Sequence, residues 1–526
     1  MGSKRLKMEE EKQDRISDLP DSLIQHILSF LPSTKQAIQT GILSKRWQKQ
    51  WTEVPVLIFN SDGMFNENNL KFIDDTLILH DCSKIYKFHL YLRLFHLERD
   101  PQIASKIDFA TSKDVEDLNL SLSMEGFYLL PQFLFNNASL VKLKTVGCSF
   151  IPNGKVNWGC LTVLNIRRCK LTDHTIEHLV SGSPLLESLE LISCSEYDKI
   201  VIASKSLKRL VLHHGIPSIS VLEISCPKLE EVCLQGMVTN DPKLFAQAIE
   251  NVLSGSSLLE SMSIESIYVR VLDPLVIASK SLKRLVVGSI RGGFDIEISC
   301  PKLKELKLLG CLNINDAKLL NLPSSLCATI DFQHPRGQKA CKGLIKDILQ
   351  QLQHVKELKF GSWFISILPT MKVEDGFSPR LNIKYLTLNS PHLIKHHSRI
   401  SYVLRISPVL EKLIINVPPY RKVNHKGGNN YWLPDATDFD CLESHLKTIK
   451  IVGFDFPVGD GRGQHMLYLI QFLLKNARVL EKMVVVVKDD GTGFPLEVSH
   501  ELLCLPRCSQ NAIIEFVCSK EIGIFL

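Results

Sequence analysis

The strongest constraint on this chain is that part of it is written twice. VIASKSLKRLV runs from Val201 to Val211 and again from Val276 to Val286, an offset of 75 residues; EISCPKL begins at Glu223 and at Glu297, an offset of 74. The segment SGS-x-LLES begins at Ser181 and at Ser254, 73 residues apart. A copied block is tolerated when each unit touches only its neighbours, because adding whole units leaves every other contact in place. The duplication therefore points to a linear array rather than to several globular domains in series.

From about Ile85 the repeating unit reads L-x-x-L-x-L-x-x-C-x-L. Its clearest copies are Leu161, Leu164, Ile166, Cys169, Leu171 and Leu186, Leu189, Leu191, Cys194. Further units centre on Phe88, Leu118, Leu143, Leu210, Val232, Met262, Leu285, Leu306, Leu358, Leu386, Leu413, Ile449 and Met483. Centres between Leu118 and Leu306 lie mostly 21 to 25 residues apart; beyond Leu306 the intervals lengthen and the units read as irregular. A period of two sends the aliphatic residues inward, each contributing roughly 1.5–3 kcal/mol when buried, and the x residues outward. Cys148, Cys169, Cys194 and Cys311 take the ninth position, an expected inward turn where a small, weakly donating side chain can approach carbonyls. With 45% hydrophobic but only 7% aromatic residues, the composition suits strands of branched aliphatics. The unit resembles the leucine-rich repeat. That resemblance implies an α/β leucine-rich-repeat solenoid, a horseshoe, over residues 85–420, with the outward strand positions on its concave face.

Ahead of the array, after a polar leader expected to be disordered over residues 1–14, residues 15–60 form a compact helical block. Pro20 suits a first helical position; Leu23, Ile24, Ile27, Leu28 and Leu31 recur at helical spacing before Pro32 ends the run. Ser33 with Gln36 three residues on reads as a capping box, and Trp47 and Trp51 stand one turn apart. A block of this size has more apolar groups than its own core can hide, so some must face a partner. Leu19-Pro20, the Ile24/Ile27/Leu28/Leu31-Pro32 run, and Leu43-Ser44-Lys45-Arg46-Trp47 with Trp51 and Val54-Pro55 closely resemble the plant F-box. After a loop over 421–440, residues 441–516 resemble the FBD region that follows the repeats in many plant F-box proteins. The residues concerned are Leu446–Ile451, Gly453-Phe454, Leu469–Leu474, Lys475–Met483 and Leu505-Pro506-Arg507.

These resemblances imply a non-catalytic, substrate-recognition subunit of an SCF-type ubiquitin ligase. Its F-box would dock on a Skp-family adaptor and through it on cullin, while the repeats capture an unknown target protein. Leu19, Pro20, Ile24, Ile27, Leu28, Leu31, Pro32, Leu43 and Trp47 are the implied adaptor-binding residues or their immediate support; which face outward is left open. Two alternatives remain: a non-degradative interaction scaffold, and a ligand-gated receptor with a concave pocket. Lys208, Arg209, Lys283 and Arg284 are candidate target-binding residues, part of a basic set on outward positions that would favour an acidic or phosphorylated partner. A solvated face of mixed charge explains the same residues.

Other chemistry is weaker. His174-Thr175-Ile176-Glu177-His178 matches an inverted zinc-peptidase pattern, yet it falls where a repeat's helix belongs, with Ile176, Leu179 and Val180 as its inner face. Gly459–Gly463 fits no nucleotide fingerprint, and His213-His214 and His396-His397 lack further ligands at metal spacing. No catalytic residue, metal or cofactor is expected. The net charge of +6 over 526 residues is too dilute for a dedicated nucleic-acid binder, and no run approaches the roughly 20 apolar residues of a membrane span. Fifteen cysteines without a CxxC pair suggest free thiols in a reducing compartment, the nucleus and/or cytoplasm.

Overall fold

The computed structural model describes residues 19–60, 67–93, 101–123, 126–213, 215, 218–333, 341–375, 380–390, 397–417, 439–454, 462–488 and 502–519. The leader, His214, residues 421–438 of the expected loop, His396 and residues 459–461 lie outside them. The chain divides into two compact units, residues 1–227 and 228–526.

The first unit opens with helices Asp21–Ser29 (α1) and Thr34–Gln39 (α2) and a 3-10 segment Trp47–Glu53. Pro20 has an extended ψ of 146°, so it stands one residue before the helix instead of in its first position. Its carbonyl accepts the free N–H groups of Leu23 and Ile24. Ser33 caps α2, its hydroxyl accepting the Gln36 N–H at 3.4 Å. Ile24, Leu28, Ala37, Trp47, Trp51 and Val54 form the buried core.

The strand that leaves this bundle, Val56–Asn60 (β1), is already the first rung of a parallel ladder. It pairs with Lys87–Arg93 (β2), which pairs with Asp117–Ser123 (β3). Lys142–Val146 (β4), Val163–Arg167 (β5), Ser188–Ile192 (β6) and Arg209–His213 (β7) follow in order. Inward and outward residues alternate as a half-buried strand requires: Phe88, Leu90 and Leu92 are buried while Lys87, His89 and Tyr91 are partly exposed. Helices Glu67–Leu79 (α3) and Pro101–Ser112 (α4) connect the first rungs. They share a fully buried lysine, Lys106, whose Nζ donates to the Asp74 carboxylate and the Gln102 carbonyl.

The second unit repeats the arrangement. Glu231–Gln235 (β8), Ser261–Glu265 (β9), Arg284–Gly288 (β10), Glu305–Cys311 (β11), Cys327–Gln333 (β12) and Glu357–Gly361 (β13) pair in parallel order. Tyr385–Asn389 (β14), Lys412–Asn416 (β15), Thr448–Phe454 (β16), Lys482–Lys488 (β17) and Ile513–Ser519 (β18) continue the series. This is the solenoid expected from the repeats. Every centre read from the sequence is the second residue of one of these strands. The gap after Leu306 has a physical cause: β12 carries Ala328 where the pattern wants leucine, yet Ala328 pairs in register with Leu306 and Leu358 and is fully buried.

The copied block is duplicated in its hydrogen bonds. Ser204 Oγ accepts the N–H groups of Ser206 and Leu207, and Ser206 Oγ donates to the Leu186 carbonyl at 2.9 Å. Ser279 does the same for Ser281 and Leu282, and Ser281 Oγ donates to Leu259 at 2.8 Å. Behind the ladder the copied segments form strands where α5 (Asp173–Ser181) stands in the preceding repeat, because KIVIA, LVIA and DIEIS alternate with period two. Lys199–Ala203 pairs with Val221–Ser225, and Leu275–Ala278 with the end of Arg291–Ser299.

A left-handed residue follows many rungs: Gly147, Arg168, Ser193, Gly236, Ser266 and Ser289 all have positive φ. Each donates its N–H to the fifth residue of the next rung, as Gly147 to Arg167, Arg168 to Ile192 and Ser193 to His213. Just beyond, Cys148, Cys169 and Cys194 are buried, with Cys169 Sγ 3.1 Å from the Arg167 carbonyl and Cys194 Sγ 3.4 Å from that of Ile166. Cys311 departs from this pattern. In its repeat the rung runs on through residue 311, leaving the thiol half-exposed at the strand end.

The bundle and ladder are fastened by His80, just past α3. Its Nε2 donates to the Val54 carbonyl at 2.9 Å while Nδ1 is buried without a partner among the described residues. Burial pushes the imidazole below its ordinary 6.5, aided by Lys113 and opposed by the Val54 bond and Asp81. A depressed histidine favours the neutral folded form, so its stabilisation is complete above pH 6.5 and is lost as pH falls through that value toward the folded pKa. We expect the thermal midpoint to fall less between about pH 7.5 and about pH 5.5 in His80→Gln than in the wild type. Equal slopes in a pH series would exclude His80 as the source.

Candidate functional site

Two surfaces stand out, one on the N-terminal bundle and one on the ladder. Helix α1 is apolar on two sides. Ile24 and Leu28 are buried in the bundle, whereas Leu23, Ile27 and Phe30, at helical spacing on the outer side, are exposed, Phe30 by 74%. The turn before Trp47 exposes Ile42 by 89% and Leu43 by 65%. Large apolar side chains in such number exceed what the bundle's own folding needs.

The nine residues suggested for adaptor binding therefore separate into groups. Ile24, Leu28 and Trp47 are core; Leu19 and Leu31 are half-buried against that core; Pro20, Ile27, Pro32 and Leu43 face outward. Leu23, Phe30 and Ile42 belong with the outward group and were not picked out by motif. For Leu23 and Phe30 the signal was present in the α1 periodicity, which places them with Ile27 on one side; Ile42 lies in the turn before Trp47, beyond that periodicity. Arg46 sets the geometry from below: its guanidinium donates to the Leu19 carbonyl and to Asp21 at the start of α1. Asp21 is held below the usual carboxylate range chiefly by that hydrogen bond.

On the ladder, three of the four candidate target-binding cations are already engaged. Lys208 pairs with Glu187 at 2.8 Å and Lys283 with Glu260 at 2.6 Å, another duplicated contact. Arg209 pairs with Glu190, which also receives Arg167 at 3.1 Å and the Asn165 amide. Partial burial works against the charge on Glu190, but the two guanidiniums outweigh it and hold the carboxyl below its ordinary range. Arg284 is exposed and makes no such pair among the described residues. The first two cations lie in one unit and the last two in the other. In the second unit, half-buried Asp331 occupies the space that a side chain on Gly361 would fill, and burial raises its pKa.

His174, Glu177 and His178 are exposed on α5, with Thr175, Ile176, Leu179 and Val180 buried beneath them. Among the described residues no group of three His, Cys, Asp or Glu side chains is placed to hold a metal, and no helix is long and apolar enough to cross a membrane. A cavity of about 480 Å³ lies where the bundle meets β1 and α3, lined in part by Pro32, Gln36, Asn60 and Phe72. A depression of about 210 Å³ on the second ladder, at Glu357, Tyr385, Thr387, Lys412 and Ile414, is smaller than the roughly 300–1,000 Å³ of small-molecule sites.

Comparison with known proteins bears on both surfaces. The F-box domain family matches residues 16–59, the family described as FBD-associated F-box protein At5g56370, LRR repeats, matches 104–247, and FBD matches 435–485. The chain is 29% identical to putative F-box/LRR-repeat protein At3g18150 of Arabidopsis thaliana over 95% of its own length and 91% of that protein. It is 28% identical to F-box/LRR-repeat protein At5g02910 of the same plant, covering 91% of the chain and 90% of that protein. Identity rises to 37% with Arabidopsis F-box/LRR-repeat protein 25, over 37% of the chain and 73% of that protein.

Proposed function

The chain belongs to the plant F-box/leucine-rich-repeat family with an FBD region, and from that premise we propose that it is a substrate-recognition subunit of an SCF-type ubiquitin ligase. The observation that carries this reading is the exposed apolar set Leu23, Ile27, Phe30, Ile42 and Leu43 on a bundle whose own core is complete. Such a patch fits a Skp-family adaptor, which would bridge to cullin, while the ladder captures the target. The protein then performs no bond chemistry. It raises the local concentration of a target lysine at the ubiquitin-loaded enzyme, turning an intermolecular encounter into a local one.

Purification of the full-length protein from cells with the proteasome blocked is expected to recover a Skp-family adaptor, cullin and ubiquitin-conjugated partners together. Partners recovered with the adaptor but without conjugates would favour a scaffold. Absence of the adaptor would end the ligase reading.

A further inference from the structure

Charge is distributed unequally over the outward face of the two ladders. Among the described residues, the first, third and fifth positions of β1–β7 carry five basic residues against two acidic ones. The same positions of β8–β18 carry six of each. In the first ladder, Glu190 takes up Arg167 and Arg209, and Asp117 lies 3.1 Å from the ring of His89, in register with Lys87 and Lys142 and within electrostatic reach of Lys87 and Lys144. Lys87, Lys142 and Lys144 remain, with no hydrogen bond or ion pair among the described residues.

Lys142 and Lys144 are both exposed on β4. Lys144 stands in register between Asn119 and Asn165. The amide of Asn119 donates to the Tyr91 hydroxyl at 3.0 Å, and that of Asn165 to Glu190, so on this strand Lys142 and Lys144 keep their ammonium groups without a hydrogen bond or ion pair among the described residues, with Asp117 acting on Lys144 only through space. Two residues apart on one strand, they are separated by about 6.6 Å along its axis. An extended peptide presents alternate side chains at the same interval.

We propose that this face of the first unit binds an extended acidic segment of the captured protein, two anionic side chains two residues apart meeting Lys142 and Lys144. The inference deepens the proposed role and rests on it for the identity of the ladder as the target-reading face. A nucleic acid fits less well. Strong phosphate-backbone readers make about six to ten cationic contacts and stack bases on aromatic side chains. Here three lysines lack a hydrogen bond or ion pair among the described residues, and the Phe, Tyr or Trp on the outward positions of β1–β7 is Tyr91, half-buried with its hydroxyl engaged.

The test uses short fluorescent peptides and the full-length protein, read by anisotropy. One peptide carries two glutamates two residues apart, one carries phosphoserines at those positions, one has adjacent glutamates, and one has glutamines. Both correctly spaced anionic peptides are expected to bind better than the other two. The ratio between them tells whether carboxylate or phosphate is the better anion. Lys142→Glu with Lys144→Glu should weaken both by about tenfold or more through like-charge repulsion. Lys208→Glu with Lys283→Glu, at cations already paired, should change binding by less than about twofold. No binding, indifference to spacing, equal loss in both double variants, or tighter binding of a single-stranded oligonucleotide would each overturn the proposal. Adaptor recovery on the same variants keeps the two readings apart: it should persist in Lys142→Glu/Lys144→Glu, and its loss in the wild type would count against the F-box reading alone.

Discussion

Ile27→Asp combined with Leu43→Asp is expected to abolish recovery of the Skp-family adaptor while shifting the thermal midpoint by no more than about 2 °C. Both side chains are exposed, Leu43 outside any helix, so folding loses little, apart from a few tenths of a kcal/mol at most by which aspartate is the poorer helix former at Ile27. Docking loses much more. Burying each aliphatic side chain at an interface is worth roughly 1.5–3 kcal/mol, and each new carboxylate would have to be desolvated. A total above about 3 kcal/mol corresponds to more than about a hundredfold in affinity. Undiminished adaptor recovery would sink the assignment of this surface.

The choice of variant matters. Leu19→Ala with Pro20→Ala, which the motif suggests, mixes two effects, because Leu19 packs on the bundle core and its carbonyl holds Arg46. Deleting residues 1–60 is worse. It strips β1 from the ladder and uncovers Phe88, which pairs with Leu57 and packs its ring 5.8 Å from that of Phe59.

Gly147→Ala is expected to destabilise the first unit by about 3 kcal/mol or more, lowering its thermal midpoint by roughly 6–12 °C. Gly147 follows β4 with φ of +74°, and an added Cβ would lie 1.9 Å from the Leu122 carbonyl oxygen of β3. Relief requires the two rungs to separate, which breaks the pairing that registers β3 with β4. Gly154→Ala meets nothing within 4 Å and should change stability by less than about 0.5 kcal/mol. Arg168 and Ser193 hold the same turn position with φ of 48° and 52°. Replacing either by glycine removes roughly 1 kcal/mol of left-handed strain, largely offset by the added freedom of the unfolded chain. Calorimetry on the four single variants checks the ranking, and a midpoint for Gly147→Ala equal to that of Gly154→Ala would refute the steric argument.

The repeat was legible because period-two alternation survives wherever its inward positions stay bulky. Leu118, Leu143 and Met262 are all fully or almost fully buried rung centres. It failed at Ala328, where neighbouring rungs supply the bulk and a small residue suffices. The turns were illegible for a related reason. Glycine, arginine and serine occupy the same left-handed position, since the demand is for an N–H aimed at the next rung and any residue but proline provides one. On the bundle, spacing placed more apolar residues on α1 than one side holds but could not say which side the core takes. That depends on Trp47 and Trp51 folding back against Ile24 and Leu28. The partial neutralisation of the ladder's cations was hidden because Lys208 and Glu187, or Lys283 and Glu260, lie more than twenty residues apart and meet only once the rungs are stacked.

Strand β1 belongs to the bundle and to the ladder at once. Under the proposed function, the docking end and the gripping face of the first unit are thus joined as a ruler is joined to its zero mark, with no tether between them. Each rung adds about 4.8 Å, which places β4 about 14 Å from β1. A ligase built on a slack tether lets a bound cargo sweep a volume and offer any lysine in it. On the proposed reading, a cargo held at a fixed graduation offers lysines at one height, and two proteins gripped equally well are expected to be conjugated unequally according to where their lysines sit.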